Sequence, residues 1–199
     1  MELYADTASL AEIEEFDDHP WVSGFTTNPT LFKAVGVRDP ERHAKEIVSL
    51  TEKPVSIDGP PEKVWALGRN AIPKFVGGVL TNRVSQLARY NFTAICTEQH
   101  ARTARAMGRD GDIISVFAGR ILDTGRDPQP VIDAAKGAGI RVLWASTREV
   151  HNYVQAERAG CDIITMSPAL IRKLDWLGKP LEVVGAETRA QFAADRVDW

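Results

Sequence analysis

Eight short apolar runs recur along the chain, and each is followed by a stretch long enough for a crossover connection. They are LYADT from Leu3, VSGFT from Val22, PVSID from Pro54, NAIPKF from Asn70, NFTAIC from Asn91, DIISVFA from Asp112, RVLWAS from Arg141 and CDIITMS from Cys161. Most lack the strict polar alternation of a strand with one wet face, which implies cover on both faces, the condition of parallel sheets. Eight strand–helix alternations in 199 residues predict an α/β fold, a closed (β/α)8 TIM barrel near its lower size limit. An open doubly wound sheet is the alternative, but no strand is followed by the GxGxxG fingerprint of dinucleotide-binding sheets. There is no linker, low-complexity tract or repeat. Residues 1–199 therefore read as a single barrel domain, with AETRAQFAADRVDW from Ala186 as a C-terminal closing helix.

The connecting stretches carry helix punctuation. Ser9 and Glu12 form a capping-box pattern ahead of Ile13 and Phe16. Asn28-Pro29 reads as an N-cap and first helical residue, with Gly36 as the stop. Asp39-Pro40, Asp127-Pro128 and Ser167-Pro168 repeat the start signal, and Ala44, Ile47 and Val48 share one face of the helix that Asp39-Pro40 starts. Gly68, Gly108, Gly160 and Gly178 fall where helices should end.

Charge and composition remove several function classes. The net charge is −3 with no basic block, so no nucleic-acid partner is expected. No apolar run reaches the about 18 residues a membrane span needs. The acidic N-terminus MELYADTASLAEIEEF leads straight into structure and has no signal-peptide pattern, so the expected location is cytoplasmic. Cys96 and Cys161 lie in apolar segments without a CxxC pair and read as buried, reduced thiols.

In a barrel the active site lies at the C-terminal ends of the strands. There the chain places Asp6, then Thr26 with Asn28, then Asp58, Lys74 and Thr93. Ser115 follows, running on through Phe117 to Arg120, and then Ser146 with Arg148. Singly, each has a plain explanation: Asp6 and Ser146 as helix caps, Thr93 as a β-branched strand residue. Polar groups from seven strands converging on one mouth are harder to explain that way. The four histidines, His19, His43, His100 and His151, fall at no strand end, which disfavours a metal site; no cofactor is expected. A lysine in a desolvated mouth loses basicity and becomes a nucleophile toward carbonyls, and nearby carboxylates can move protons. Arg120, Ser146 and Arg148 suit a phosphate. The composite is an imine-forming lyase or transferase acting on a sugar phosphate.

The runs YADTA, GFTTNPTL, NFTAICT, ISVFAGRILD, LWAST and GCDIITMSPALIRKL together resemble the transaldolase family, including its short members and the fructose-6-phosphate aldolases. The resemblance implies a (β/α)8 barrel and metal-free Schiff-base aldol chemistry in a homo-oligomer acting on sugar phosphates. By position, Lys74 would form the imine, Asp6 would transfer the proton during C–C cleavage, and Asp58 with Thr93 would hold the catalytic water. Thr26, Asn28, Ser115 and Phe117 would line the substrate pocket, and Arg120, Ser146 and Arg148 would grip the phosphate. Asp58 stands where the family has Glu or Gln. Pro73 precedes Lys74 where the family reads KIP after the strand. A rival register aligns FVGGVLTN with the family lysine segment, puts Gly77 at the lysine position, and implies a non-catalytic sugar-phosphate-binding barrel. Transfer of a dihydroxyacetone unit is the leading expectation; a cleaving aldolase is the alternative.

Overall fold

The computed structural model describes residues 1–76 and 89–197. In chain order, β1 (Glu2–Asp6), α1 (Leu10–Asp17), β2 (Val22–Thr26), α2 (Pro29–Ala34), α3 (Pro40–Ser49), β3 (Val55–Asp58), α4 (Pro61–Leu67) and β4 (Ala71–Val76) form the first half. The second half comprises β5 (Asn91–Ile95), α5 (Glu98–Met107), β6 (Ile113–Val116), α6 (Ala118–Leu122), α7 (Gln129–Ala135), β7 (Arg141–Trp144), α8 (His151–Arg158), β8 (Ile163–Met166), α9 (Pro168–Ile171) and α10 (Leu181–Ala194). All strand pairs are parallel, and β8 returns to β1, closing the barrel in sequence order. The open doubly wound alternative is thereby excluded. Gly77, the pivot of the rival register, lies outside the described residues.

The caps fall where side-chain chemistry puts them. Ser9 accepts from the Glu12 amide, Asn28 from Leu31 at 3.0 Å and Asp39 from Arg42 at 3.1 Å. Each satisfies an amide that the first helical turn leaves without a partner. The Glu12 carboxylate does not return to Ser9; it takes the Thr7 hydroxyl instead. Asp127 accepts from the Gln129 amide, so Pro128 is the cap residue rather than the first helical one.

Two apolar layers hold the strands. The larger lies between sheet and helices, around Ile13, Phe16, Phe25, Ile47, Phe92, Ile114 and Trp144. The smaller fills the barrel itself, from Tyr4, Ile72, Ile113, Leu143, Ala145 and Ile163, with Phe117 against it. Tyr4 occupies the space that Gly24 leaves, since a Cβ there would stand 2.6 Å from the tyrosine ring. Arg141 bonds the Tyr4 hydroxyl and pairs with Glu2 at 2.8 Å, which seals the N-terminal end. Side chains alternate along a strand, so Ile72 pointing inward sends Lys74 inward as well. Polar inward positions follow: Asn91 donates to Ser56 Oγ at 3.0 Å and accepts from Ser115 Oγ at 2.7 Å. The interior thus turns from apolar to polar toward the C-terminal strand ends.

Two expectations are corrected here. The C-terminal helix begins at Leu181 rather than Ala186, and none of its residues is buried; Leu181 and Phe192 are 80% and 72% exposed. Cys96 is exposed, just past the end of β5; only Cys161 is buried, its thiol pushed up to about 12 chiefly by burial.

Candidate active site

A cavity of about 420 Å³ opens among the C-terminal strand ends, and every one of the candidate residues named from the sequence lines it. Lys74 comes from β4 and Asp58 from the neighbouring register position on β3. Lys74 Nζ donates to the Thr27 carbonyl at 2.8 Å, so the amine is tied to the inside of the mouth. Burial holds its pKa below the ordinary lysine value, against the opposing charges of Asp6 and Asp58. Asp6, at the end of β1, is affected in the mirror sense. Burial raises its carboxyl above the usual range, while Lys74 and the Thr26 hydroxyl pull it back. The charged form of each is penalised by burial and partly restored by the charge of the other.

The hydroxyls around this pair are differently employed. Thr26 Oγ1 donates to Asp6 Oδ1 at 2.7 Å and also contacts Thr165 Oγ1 at 2.6 Å. Thr93 Oγ1 is buried without a partner among the described residues, and the residue lines the cavity. A buried hydroxyl without a protein partner is a place for a water or ligand oxygen. Ser115 lines the cavity too, yet its hydrogen goes to Asn91; only its lone pairs remain to face a ligand. Asn28 spends its Oδ1 on the α2 cap, so what it can offer a ligand is its N–H donors.

The opposite side of the mouth is cationic. Arg120, on α6, lays its guanidinium 5.6 Å from the Phe117 ring centroid. Arg148 is held by Asp123, through Nη2 at 2.7 Å and Nε at 3.1 Å, and donates Nη1 to the Ser146 carbonyl at 3.1 Å. Asp123 is correspondingly shifted below the usual carboxylate range by its bond to Arg148. Gly119 joins these groups. A Cβ on it would sit 1.6 Å from the Ser146 carbonyl oxygen, so only glycine lets α6 lie on the end of β7. Ser146 itself has φ 66°, as Ala94 beside Thr93 has φ 60°, a left-handed conformation uncommon without glycine.

Thr165 and Asp123 were not among the sequence candidates. The eighth strand end contributed no candidate, although the threonine of CDIITMS could have been found by extending the same scan to it. Asp123 lies in a helix-ending ILDTG stretch, where an acid reads as an ordinary surface residue. Among the described residues no three His, Cys, Asp or Glu side chains gather as a metal site. What the mouth can do chemically is attack a carbonyl with an amine, move a proton through a carboxylate, and hold an anion on arginines.

The family model described as Transaldolase/Fructose-6-phosphate aldolase matches residues 84–198 of this chain. A probable transaldolase of Thermoplasma volcanium is 30% identical over 195 residues, which cover 87% of both chains. A probable transaldolase of Sinorhizobium medicae is 29% identical over 216 residues, covering 98% of this chain and 96% of the relative. Among solved structures, thiamine phosphate pyrophosphorylase from Pyrococcus furiosus superposes with a TM-score of 0.57 at 13% identity, over 83% of this chain and 85% of that one; the likeness is one of fold.

Proposed function

This chain belongs to the transaldolase/fructose-6-phosphate aldolase family, and from that premise we propose that it transfers a dihydroxyacetone unit between sugar phosphates through an imine on Lys74. The observation that carries the reading is the Lys74 amine, held inside the mouth on Thr27 O with its basicity lowered by burial and with Asp6 and Asp58 facing it. The neutral amine adds to the ketose carbonyl. Loss of the carbinolamine hydroxyl as water leaves the iminium, with Asp58 and Thr93 flanking the position of that water. Asp6 then takes the proton of the C4 hydroxyl, two carbons from the iminium carbon, so that the bond that breaks is C3–C4. The C–C bond breaks, its electrons pass to the iminium to give an enamine, and an aldehyde leaves. Addition of the enamine to an acceptor aldehyde, with Asp6 returning its proton, reverses the sequence on a new substrate. Each step is proton and electron-pair movement, for which the donors present suffice, so turnover should survive EDTA.

Transfer rather than cleavage follows from what reaches the enamine first. Phe117 lines the cavity without a hydroxyl that could hold a hydrolytic water. Fructose 6-phosphate alone should therefore release little free dihydroxyacetone, and adding erythrose 4-phosphate should give rapid sedoheptulose 7-phosphate formation. Fast release without acceptor would replace this reading with the aldolase one. Binding without turnover of either kind would leave a sugar-phosphate-binding barrel.

Arg120 and Arg148 are read as the phosphate grip. Alanine at either should raise KM for phosphorylated sugars by roughly ten- to a hundredfold, the scale of a charge-assisted contact, and leave dihydroxyacetone-type substrates nearly unaffected. Equal effects on both substrate classes would make the arginines structural. Self-association and a cytoplasmic location belong to the same reading. Leu181 and Phe192, exposed on α10, are apolar surface that contact with a second copy would cover.

A further inference from the structure

We propose that Thr165 is a positioning residue for Asp6, acting through Thr26. The inference rests on the reading of Asp6 as the proton-transfer group. It starts from hydrogen-bond arithmetic. A threonine hydroxyl has one hydrogen. That of Thr26 is spent on Asp6 Oδ1 at 2.7 Å. In the 2.6 Å contact between Thr26 Oγ1 and Thr165 Oγ1, Thr165 must then be the donor. The result is a one-directional relay of hydroxyls across three adjacent strands, from β8 through β2 and ending on β1 in the barrel order β8–β1–β2.

Donors aligned toward a carboxylate polarise one another, and a charge-assisted bond is stronger than a neutral one. The relay therefore favours ionised Asp6 and opposes the burial that pushes its proton affinity up. It also fixes which oxygen is occupied: Oδ1 is held by Thr26, which leaves Oδ2 for a substrate hydroxyl. Among the described residues, β4 brings the Lys74 charge to Asp6, Asp58 on β3 acts on that lysine, and β2 and β8 bring the two threonine hydroxyls. Thr165 is 4% exposed and lines the cavity floor. Its backbone carbonyl separately accepts from Thr147 Oγ1 at 3.1 Å, a bond that does not need the Thr165 hydroxyl.

Thr165→Val keeps the shape of the side chain and removes the donor; Thr165→Ser keeps the donor. With carboxyl-13C aspartate, and the Asp6 resonance identified by its loss in Asp6→Asn, the Asp6 titration midpoint should rise by about 0.5–1 pH unit in the valine variant, the scale of one lost hydrogen bond. It should return to the parent value in the serine variant. In turnover, Thr165→Val should lower kcat by roughly 3- to 10-fold, move the acidic limb of the pH profile upward with the NMR midpoint, and leave KM within about twofold. An Asp6 midpoint that Thr165→Val does not move, or that Thr165→Ser fails to restore, overturns the inference. Absence of any borohydride-trapped imine in the parent protein overturns the catalytic reading instead, and the NMR titration distinguishes the two failures.

Discussion

Replacing Lys74 with methionine should reduce sugar-phosphate turnover by about 10⁴-fold or more, the scale on which loss of a covalent nucleophile acts. Methionine fills nearly the same space without the amine, and a barrel held by the Tyr4–Ile72–Leu143 interior should remain folded around it. Borohydride with fructose 6-phosphate should leave the mass of the ketose on the peptide carrying Lys74 in the parent, and no adduct in the variant. An adduct on a different lysine, or an unimpaired variant, rejects the assignment. The pH dependence adds a second check. Imine formation needs the neutral amine, so its rate should climb as pH rises through the lowered Lys74 value and level off below the ordinary 10.5. Stability follows the same sign. Between the native value and 10.5 the unfolded chain binds the extra proton, so the parent gains stability with rising pH in that window and the methionine variant does not.

Asp6→Asn should lower kcat by about 10²–10⁴-fold, the contribution of a positioned acid or base, while a trapped imine still forms on Lys74. Asparagine can accept the Thr26 hydrogen bond through its own oxygen, so the geometry around β1 and β2 persists. The native carboxyl titrates above 3.8. A group of this kind contributes stability fully present below its unfolded value and lost as pH rises through its native one. Above the ordinary carboxylate range the buried Asp6 carboxyl is therefore a net cost to the fold, and the asparagine variant should melt at or above the parent temperature in a thermal scan at pH 7. Normal turnover in this variant would reduce Asp6 to a cap.

The barrel was legible because each strand is an apolar run bounded by helix-start chemistry that is local. Ser9, Asn28 and Asp39 cap the helices that their sequence positions announce. Strand direction and order follow once crossovers alternate with strands. The cavity lining was legible for a related reason: in a barrel, position along the strand fixes height, and the parity of Ile72 fixes that Lys74 points inward. What the chain does not reveal is how each polar side chain divides its hydrogen bonds. Nothing local tells that Ser115 gives its hydrogen to Asn91, twenty-four positions earlier, or that Asp123 holds Arg148. Those partners meet only when strands or loops distant in sequence become neighbours. The C-terminal helix misled for the opposite reason. Its small and apolar residues suit a helix but form no distinct stripe, so its composition announces a helix without saying what it packs on.

Ala94 and Ser146, which both line the mouth, carry left-handed backbone. A stability engineer would choose Ala94→Gly first, since glycine removes the crowding of a Cβ in this conformation, worth about 1 kcal/mol before its greater unfolded freedom is counted. The melting temperature should rise slightly. The alanine methyl is also part of the wall beside Thr93, and the crowded backbone has fewer ways to move. Directed evolution for heat tolerance should therefore enrich glycine at this position quickly and lose it again once selection is for turnover, a conflict between durability and precision confined to one methyl group.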